Sequence, residues 1–428
     1  MISEHVKVVK FSELDGVLDR LVIKVLDFFR DPDVLGSMIL EAKSNNFLTI
    51  PSIYTDRYAC CTQGFFCGQN ALIFKDKSEI FIVTQLSSLV YGILDVDKRI
   101  FYSQERNPGR QDALVRQLIS KVDVRSRSDG VFLGIINGYQ RPYHYFYDKA
   151  PFLCNLDPSI ISGSKFLSVR DRAFLPASFF GGSDEVIVDD LSEYIDNREG
   201  FAIDVGHPYK FEGKIRVNDF FDEKIENIFR SGCVKNETKK NGAPVIWIGV
   251  CQEKRRWVEF HDAIRMLINI IIIDFPNVSF IFDGLTRPEY FDEIDFKNIA
   301  RVKNDSLAVE NVVNSFNGID YVNLVGRTAK EKLAWAFKTD FFISNALTDS
   351  MWCSRFAMKS GVCFSSRSSE SEVFRQHRHP VAHIFPFEYV HDLGDEGENW
   401  SKMDFSIDPS LFVDFTVSRL KESLVKAR

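Results

Sequence analysis

The 428-residue chain has no CxxC pair, no apolar run of membrane-spanning length and no excess of positive charge. Each absence removes a class of function. The eight cysteines, Cys60, Cys61, Cys67, Cys154, Cys233, Cys251, Cys353 and Cys363, lack the paired short spacings of a structural zinc site. Reduced, mostly buried thiols are expected. The longest apolar stretch, MLINIIII at 266–273, contains Asn269 and falls far short of the ~20 residues that cross a bilayer. The opening MISEHVKVVKFSELDG has no apolar leader, so a cytoplasmic protein is expected. With 53 Lys+Arg against 60 Asp+Glu the net charge is −7, which argues against a broad phosphate-neutralising surface for nucleic acid. His377, His379 and His383 come nearest to metal spacing, but Pro380 breaks the helix that would align them.

What is present reads as an ordinary globular chain, 45% hydrophobic and 26% charged, long enough for two or three domains. After an amphipathic run, GVLDRLVIKVLDFFRDP, the first half turns to short β-rich segments: NALIFKD, EIFIVTQ, LVYGILDVD and RIFYSQ. Their tight connections favour antiparallel hairpins, an insertion in or an edge of the first domain. A helix, DALVRQLISKV, and a buried strand, VFLGIIN, follow. EVIVDD and GFAIDVGHP read as further strands on a weaker signal. The polar segment CVKNETKKNGAP, 233–244, is the linker candidate and divides the chain into domains 1–235 and 236–428.

Beyond it apolar strands alternate with helices: VIWIGV, a long helix, VSFIFDG, AVENVVNSF, YVNLVG, KEKLAWAF, FFISN, DSMWCSRFAMKS and VCFSS. This is the pattern of βαβ units and a parallel sheet. Ligands of such sheets bind beyond the carboxyl ends of the strands. Four loops fall there: Lys254-Arg255-Arg256-Trp257, Asp283-Gly284, Gly326-Arg327-Thr328, and Asn345 to Met351 with Asp349 and Ser350. Singly, a cationic run reads as a solvated turn and Thr328 or Ser350 as a helix cap. At one edge of one sheet the four form an anion site of nucleotide size.

The stretch from Tyr321 to Ser366 resembles the C-terminal domain of heptosyltransferase-like, two-Rossmann (GT-B) glycosyltransferases. The resemblance rests on Gly326-Arg327-Thr328, Leu333-Ala334, Asp340 to Asn345, Ser350-Met351 and Gly361-Val362. Upstream, Lys254 to Trp257 matches that family's basic-Trp turn, and Phe282-Asp283-Gly284 its strand-Gly turn; residues 244–366 are covered. The family's Asp-Ser-Gly-Pro-Met-His loop departs here to Thr348-Asp349-Ser350-Met351-Trp352. The N-terminal half shows no match to its Gly-Asp turn. The resemblance implies an α/β fold of two Rossmann-like domains facing a cleft, the first with the β-rich antiparallel insertion. It implies a nucleotide-sugar donor as substrate, no cofactor, no metal, and a glycan or other hydroxyl acceptor, with a role in bacterial surface polysaccharide synthesis. It leaves room for peripheral contact with the inner face of the membrane.

Transfer with inversion needs a base for the acceptor hydroxyl. Two loops of the first half offer one. Arg141-Pro-Tyr143-His144-Tyr145-Phe-Tyr147-Asp148 follows the buried strand; Arg141, Tyr143 and Tyr145 would contact the acceptor and His144 or Asp148 would be the base. The plain alternative is an aromatic helix start packed into the core. Asp204-Val-Gly-His207 is the competing loop, and Asp56-Arg57 trails both. Asp189-Asp190 and the acids from Asp392 to Glu396 keep the metal question open. A 2-epimerase on the same frame, or a non-catalytic binding protein, are the other functions this sequence accommodates.

Overall fold

The computed structural model describes every residue except 1–5, 15–16, 30–31, 87–88, 104–113, 122–129, 140, 207–218, 232–242, 251–255, 292–295, 347, 372–381, 395–402 and 427–428. It divides into two compact units, Met1–Tyr209 and Lys210–Arg428.

The first unit holds two sheets. Strands β1 (Lys7–Lys10), β2 (Leu48–Pro51), β3 (Tyr58–Phe66), β4 (Asn70–Asp76), β5 (Glu79–Leu86), β6 (Leu89–Asp95) and β7 (Ile100–Ser103) form a seven-stranded sheet in the order β1-β7-β6-β5-β4-β3-β2. Its hairpins are antiparallel, as the sequence pattern requires; only β1 joins β7 in parallel. Lys77-Ser78 turns β4 into β5 between the paired Asp76 and Glu79, with Lys77 at φ 56°. Alternation then sorts the side chains: Ala71 and Ile73 face one core with Ile82, Leu94 and Phe101. From β4 and β5, Phe74 and Phe81 stack on each other at 5.3 Å.

The second sheet of this unit is parallel. Strands β8 (Phe132–Asn137), β9 (Lys165–Val169), β10 (Asp184–Val188) and β11 (Phe201–Asp204) lie in the order β10-β9-β8-β11. Counted along the chain this is 3-2-1-4, so the order reverses between β8 and β11. The antiparallel sheet supports β11: Asn70 Nδ2 donates to the Ala202 carbonyl at 2.8 Å and the Gly64 amide to the Gly200 carbonyl at 3.0 Å.

The second unit is built on six parallel strands: β12 (Val245–Gly249), β13 (Ser279–Asp283), β14 (Asp320–Asn323), β15 (Phe341–Asn345), β16 (Ser360–Phe364) and β17 (Ala382–Ile384). Their order, β14-β13-β12-β15-β16-β17, is 3-2-1-4-5-6, the doubly wound arrangement. Ile246, Ile248, Phe280, Phe282 and Ile343 face a core completed by Ile264, Leu267 and Ile268 of the helix Phe260–Asp274 and by Phe412 and Leu420 of the helix Pro409–Lys426. Burial of each such side chain stabilises by about 1.5–3 kcal/mol. A short antiparallel ribbon, β18 (Val390–Asp392) with β19 (Phe405–Ile407), adds Val390, Phe405 and Ile407 to this core. The α/β class with two Rossmann-like parallel sheets, the first carrying an antiparallel addition, is therefore what the strand pairing gives.

Two elements differ from the sequence reading. Residues 351–356, expected as an α-helix, form a π-helical turn, Met351–Phe356. The helix Asp219–Ser231, which a division at 235/236 leaves with the first half, packs in the second unit: Phe229 stacks on Phe337 and Arg355 bonds Asp222. The contact division accordingly runs between Tyr209 and Lys210, and most of the expected linker lies outside the described residues.

Candidate functional site

Each parallel sheet has one point where its order reverses, and loops leaving the two flanking strands diverge there to open a crevice. In the first unit those strands are β8 and β11. The backbone leaving β8 runs through Tyr139 into Pro142–His144 and then a π-helical turn, Tyr145–Lys149, in which the Ala150 amide reaches the Tyr145 carbonyl. Pro142 at the helix start needs no amide partner there. Across this turn His144, which precedes it, and Asp148 lie with Nδ1 2.7 Å from Oδ2. The His144 side chain is 43% exposed, Asp148 only 13%. With Nδ1–H donated to the carboxylate, Nε2 carries the lone pair, and it has no hydrogen-bond partner among the described residues. Tyr139 and Tyr143 flank the ring, each with its centroid 4.9 Å away. Burial and the Asp148 and Asp204 charges push the Tyr139 hydroxyl up, keeping it a neutral donor.

The turn sorts the other candidates of this loop. Tyr143 is half-buried and stacks on Tyr147, and Arg141 is exposed. Tyr145 is fully buried: its hydroxyl donates to Asn137 Oδ1 at 2.8 Å and accepts the Leu175 amide at 3.2 Å. Its ring is closed to an acceptor, which corrects the expectation for that residue. The core-packing alternative thus holds for Tyr145 to Tyr147, while His144 stays at the surface.

From β11, Asp204 arrives at the same crevice but is buried, with Lys149 Nζ 2.5 Å from Oδ1. A carboxylate so enclosed is poorly placed to meet a substrate hydroxyl, so the competing base is corrected to an internal ion-pair partner. His207 lies outside the described residues. Asp56 is exposed and paired with Lys24. The acid pair resolves into separate jobs: Asp189 bonds Arg170, and Asp190 caps the helix Leu191–Asp196 through the Ser192 and Glu193 amides. Among the described residues no group of three His, Cys, Asp or Glu is placed to hold a metal ion.

In the second unit the reversal lies between β12 and β15. Gly249 ends β12 beside Ser344, and a Cβ at Gly249 would sit 2.8 Å from the Ser344 Cβ, so only glycine lets the strands approach here. Ser344, Asn345 and Ser350 are all buried at this edge, as is Met351. Lys254 and Arg255 fall outside the described residues. Arg256 is described and engaged: its amide and guanidinium bond Asp404, with Nη2 to Oδ2 at 2.7 Å. Trp257 is a core anchor, its Nε1 donating to the Ile407 carbonyl and its ring 4.6 Å from Phe412.

The remaining loops are more structural than the sequence suggested. Thr328 and Glu331 form a reciprocal capping box for the helix Ala329–Lys338, and Gly326 supplies the left-handed turn at φ 72°. Arg327 is exposed and lies 3.5 Å from Glu331. Asp283 is buried against Lys332, whose Nζ also donates to the Gly284 carbonyl. Sequence reasoning missed Lys332, Lys149 and Asp305 as partners because each is a charged residue on a helix whose phase alone does not declare it buried. Asp392 accepts the amides of Arg367 and Ser368 at the edge of β16.

No protein-family model matches the chain, and no curated protein matches it. Solved structures that bear a distant likeness include three glycosyl-transferring enzymes. One is the beta Kdo 2,4 transferase KpsC of Thermosulfurimonas dismutans: TM-score 0.19, 6% identity, 34% of this chain and 43% of that chain. The chain thus spans less than half of KpsC. Another is alpha,alpha-trehalose 6-phosphate synthase from Burkholderia multivorans: TM-score 0.32, 10% identity, 77% and 80% covered. The third is the E. coli ADP-heptose LPS heptosyltransferase II: TM-score 0.29, 10% identity, 72% and 93% covered.

Proposed function

We propose that this chain is a glycosyltransferase that moves a sugar from a nucleotide-sugar donor to a hydroxyl of a glycan or similar acceptor. The observation that carries the reading is the half-exposed His144 paired with Asp148 at the reversal point of one parallel sheet. The chain's second parallel sheet has a reversal point of its own, suited to a nucleotide. His144 Nε2 takes the acceptor proton, Asp148 steadies the imidazolium, and the acceptor oxygen attacks the anomeric carbon with inversion. Tyr139 and Tyr143 offer aromatic faces on either side of the ring. The nucleotide departs as an anion, and Lys254, Arg255 and Arg256 with the loop Asn345–Ser350 neutralise its phosphate. Surface polysaccharide assembly in the cytoplasm, at the inner face of the membrane, is the setting we propose.

One observation favours a second reading, a non-catalytic binding protein: Asp404 and Asp392 already occupy anion-binding groups at the edge of the second sheet. A thermal-shift series with free nucleotides separates the two. Stabilisation by at least one nucleoside mono- or diphosphate, followed by a new glycoside when the matching sugar donor and an acceptor are supplied, supports transfer. Absence of any nucleotide effect, with no product from any donor, supports binding alone. Interconversion of the donor without acceptor would identify an epimerase instead.

A further inference from the structure

We infer that the buried Lys149–Asp204 ion pair is a positioning device for His144, which makes the loops after β8 and β11 one working unit; the catalytic meaning of this rests on the function proposed above. Lys149 Nζ is fully buried and makes two contacts, Asp204 Oδ1 at 2.5 Å and the Ile136 carbonyl of β8 at 2.8 Å. It follows Asp148 directly in the chain. On the other side of the pair, Tyr145 follows His144 and is clamped by Asn137, the last residue of β8. The π-helical turn is therefore pinned inward at Tyr145 and Lys149, and the residues before the two pins, the partly exposed His144 and the largely covered Asp148, face each other. Fixing two points of a single turn fixes the distance between their neighbours.

Asp204 is itself held. Gln85 of the antiparallel sheet donates from Nε2 to its carbonyl at 3.3 Å, and Gln85 Oε1 accepts from Asn70 at 2.9 Å. Burial pulls the Lys149 ammonium down, opposed by Asp204. A buried ion pair of this kind gives little net stability over a well-packed apolar pair. Its geometric effect on the neighbouring turn is a role that an apolar pair of the same volume would not fill, because Lys149 ties the end of the turn by directional bonds to both β8 and β11, beside the Tyr145 bond to Asn137 at its start.

The test uses full-length protein labelled with ¹⁵N-histidine, in which the ring-nitrogen shifts of His144 report the tautomer; the signal is assigned by its loss in His144→Gln. Asp148→Asn serves as the control for the dyad. If Asp148→Asn leaves the Nδ1–H signature intact, the dyad itself is absent and the function proposed above loses its base. Given a working control, Asp204→Asn and Lys149→Met should each lower the Nδ1–H fraction severalfold. Because either change can unfold the unit, the decisive variant is Lys149→Met/Asp204→Leu, which removes both charges together. We expect it to regain the melting temperature without regaining the signature, and in a transferase assay to lower kcat with KM little changed. A double variant whose His144 signature equals that of the unaltered protein would overturn the inference, as packing alone would then orient the ring.

Discussion

Lys332 Nζ lies 2.5 Å from Asp283 Oδ1 and 2.6 Å from the Gly284 carbonyl, and both side chains are sealed from solvent at the carboxyl end of β13. Asp305, equally buried, accepts the Leu285 amide from the next turn of chain at 2.8 Å. The Asp283-Gly284 loop is therefore held from two helices at once, Phe296–Val313 and Ala329–Lys338. Burial pushes the Asp283 carboxyl up to about 6, against the pull of Lys332 and with a push from Asp305.

That shift makes stability depend on pH with a definite sign. A carboxyl that binds its proton more tightly when folded stabilises the fold below its ordinary range near 4, and this contribution is lost as pH rises through about 6. Asp283→Asn cannot titrate. The difference in unfolding free energy between the two proteins should move in favour of the variant between about pH 4 and pH 6, by on the order of 3 kcal/mol. Urea melts of both proteins across that window measure it. Parallel profiles would mean that Asp283 titrates in its ordinary range.

Arg355 and Asp222 make a second sealed pair, 4% and 5% exposed, with 3.1 Å between Nη2 and Oδ1. Removing one partner strands the other charge, so Arg355→Met should cost about 3–5 kcal/mol in chemical unfolding, and Arg355→Met/Asp222→Leu should recover much of it. Because Asp222 sits on the helix Asp219–Ser231, this cycle also tests whether that helix is integral to the second unit. A single variant within about 0.5 kcal/mol of the unaltered protein would detach it.

The second unit was legible because buried parallel strands are continuous apolar runs, and Val245–Gly249 and Phe341–Asn345 are buried at every position. The hairpins of the first unit were legible from alternation and from polar turns such as Lys77-Ser78 after Asp76. Strand β10 was weak because it is an edge strand with four of five residues partly exposed. At the site, the position of His144 on a surface loop could be read, but its pairing with Asp148 could not. The spacing of four permits the contact, whereas the π-helical turn is pinned at Tyr145 by Asn137, eight residues earlier, and at Lys149 by Asp204, 55 residues onward, and neither partner shows in the local pattern. The basic-Trp turn shows the same limit: Trp257 is core because Phe412 and Ile407, some 150 residues onward, close over it.

The cationic turn yields a binding prediction. Arg255→Ala/Arg256→Ala should weaken nucleotide binding by on the order of 1.5–3 kcal/mol while leaving the melting temperature of the free protein nearly unchanged. Asp404 holds the Arg256 guanidinium, so if that turn binds the donor phosphate as proposed, Asp404→Asn should tighten binding severalfold. Titration calorimetry with the nucleotide found in the thermal-shift series reads both effects. Equal affinity in all three proteins would remove this turn from the donor site.

The last prediction concerns the base. If His144 removes the acceptor proton, His144→Gln should lower turnover by about 10²–10⁴-fold, and nucleotide binding by the second unit should survive. Asp148→Asn should cost less, since it leaves the imidazole in place and removes only its orientation and the charge that steadies the imidazolium. The half-exposed ring packs against Tyr139 and Tyr143 without entering the core, so neither variant should lower the melting temperature by more than a few degrees. Tyr145→Phe behaves differently: it leaves Asn137 Oδ1 and the Leu175 amide without their shared hydroxyl and should destabilise by about 1–3 kcal/mol. The contrast between a residue that costs rate and a neighbour that costs stability separates the surface of this turn from its interior. Full turnover in His144→Gln, with acceptor and donor both saturating, would place the base on another residue and leave the dyad a structural pair.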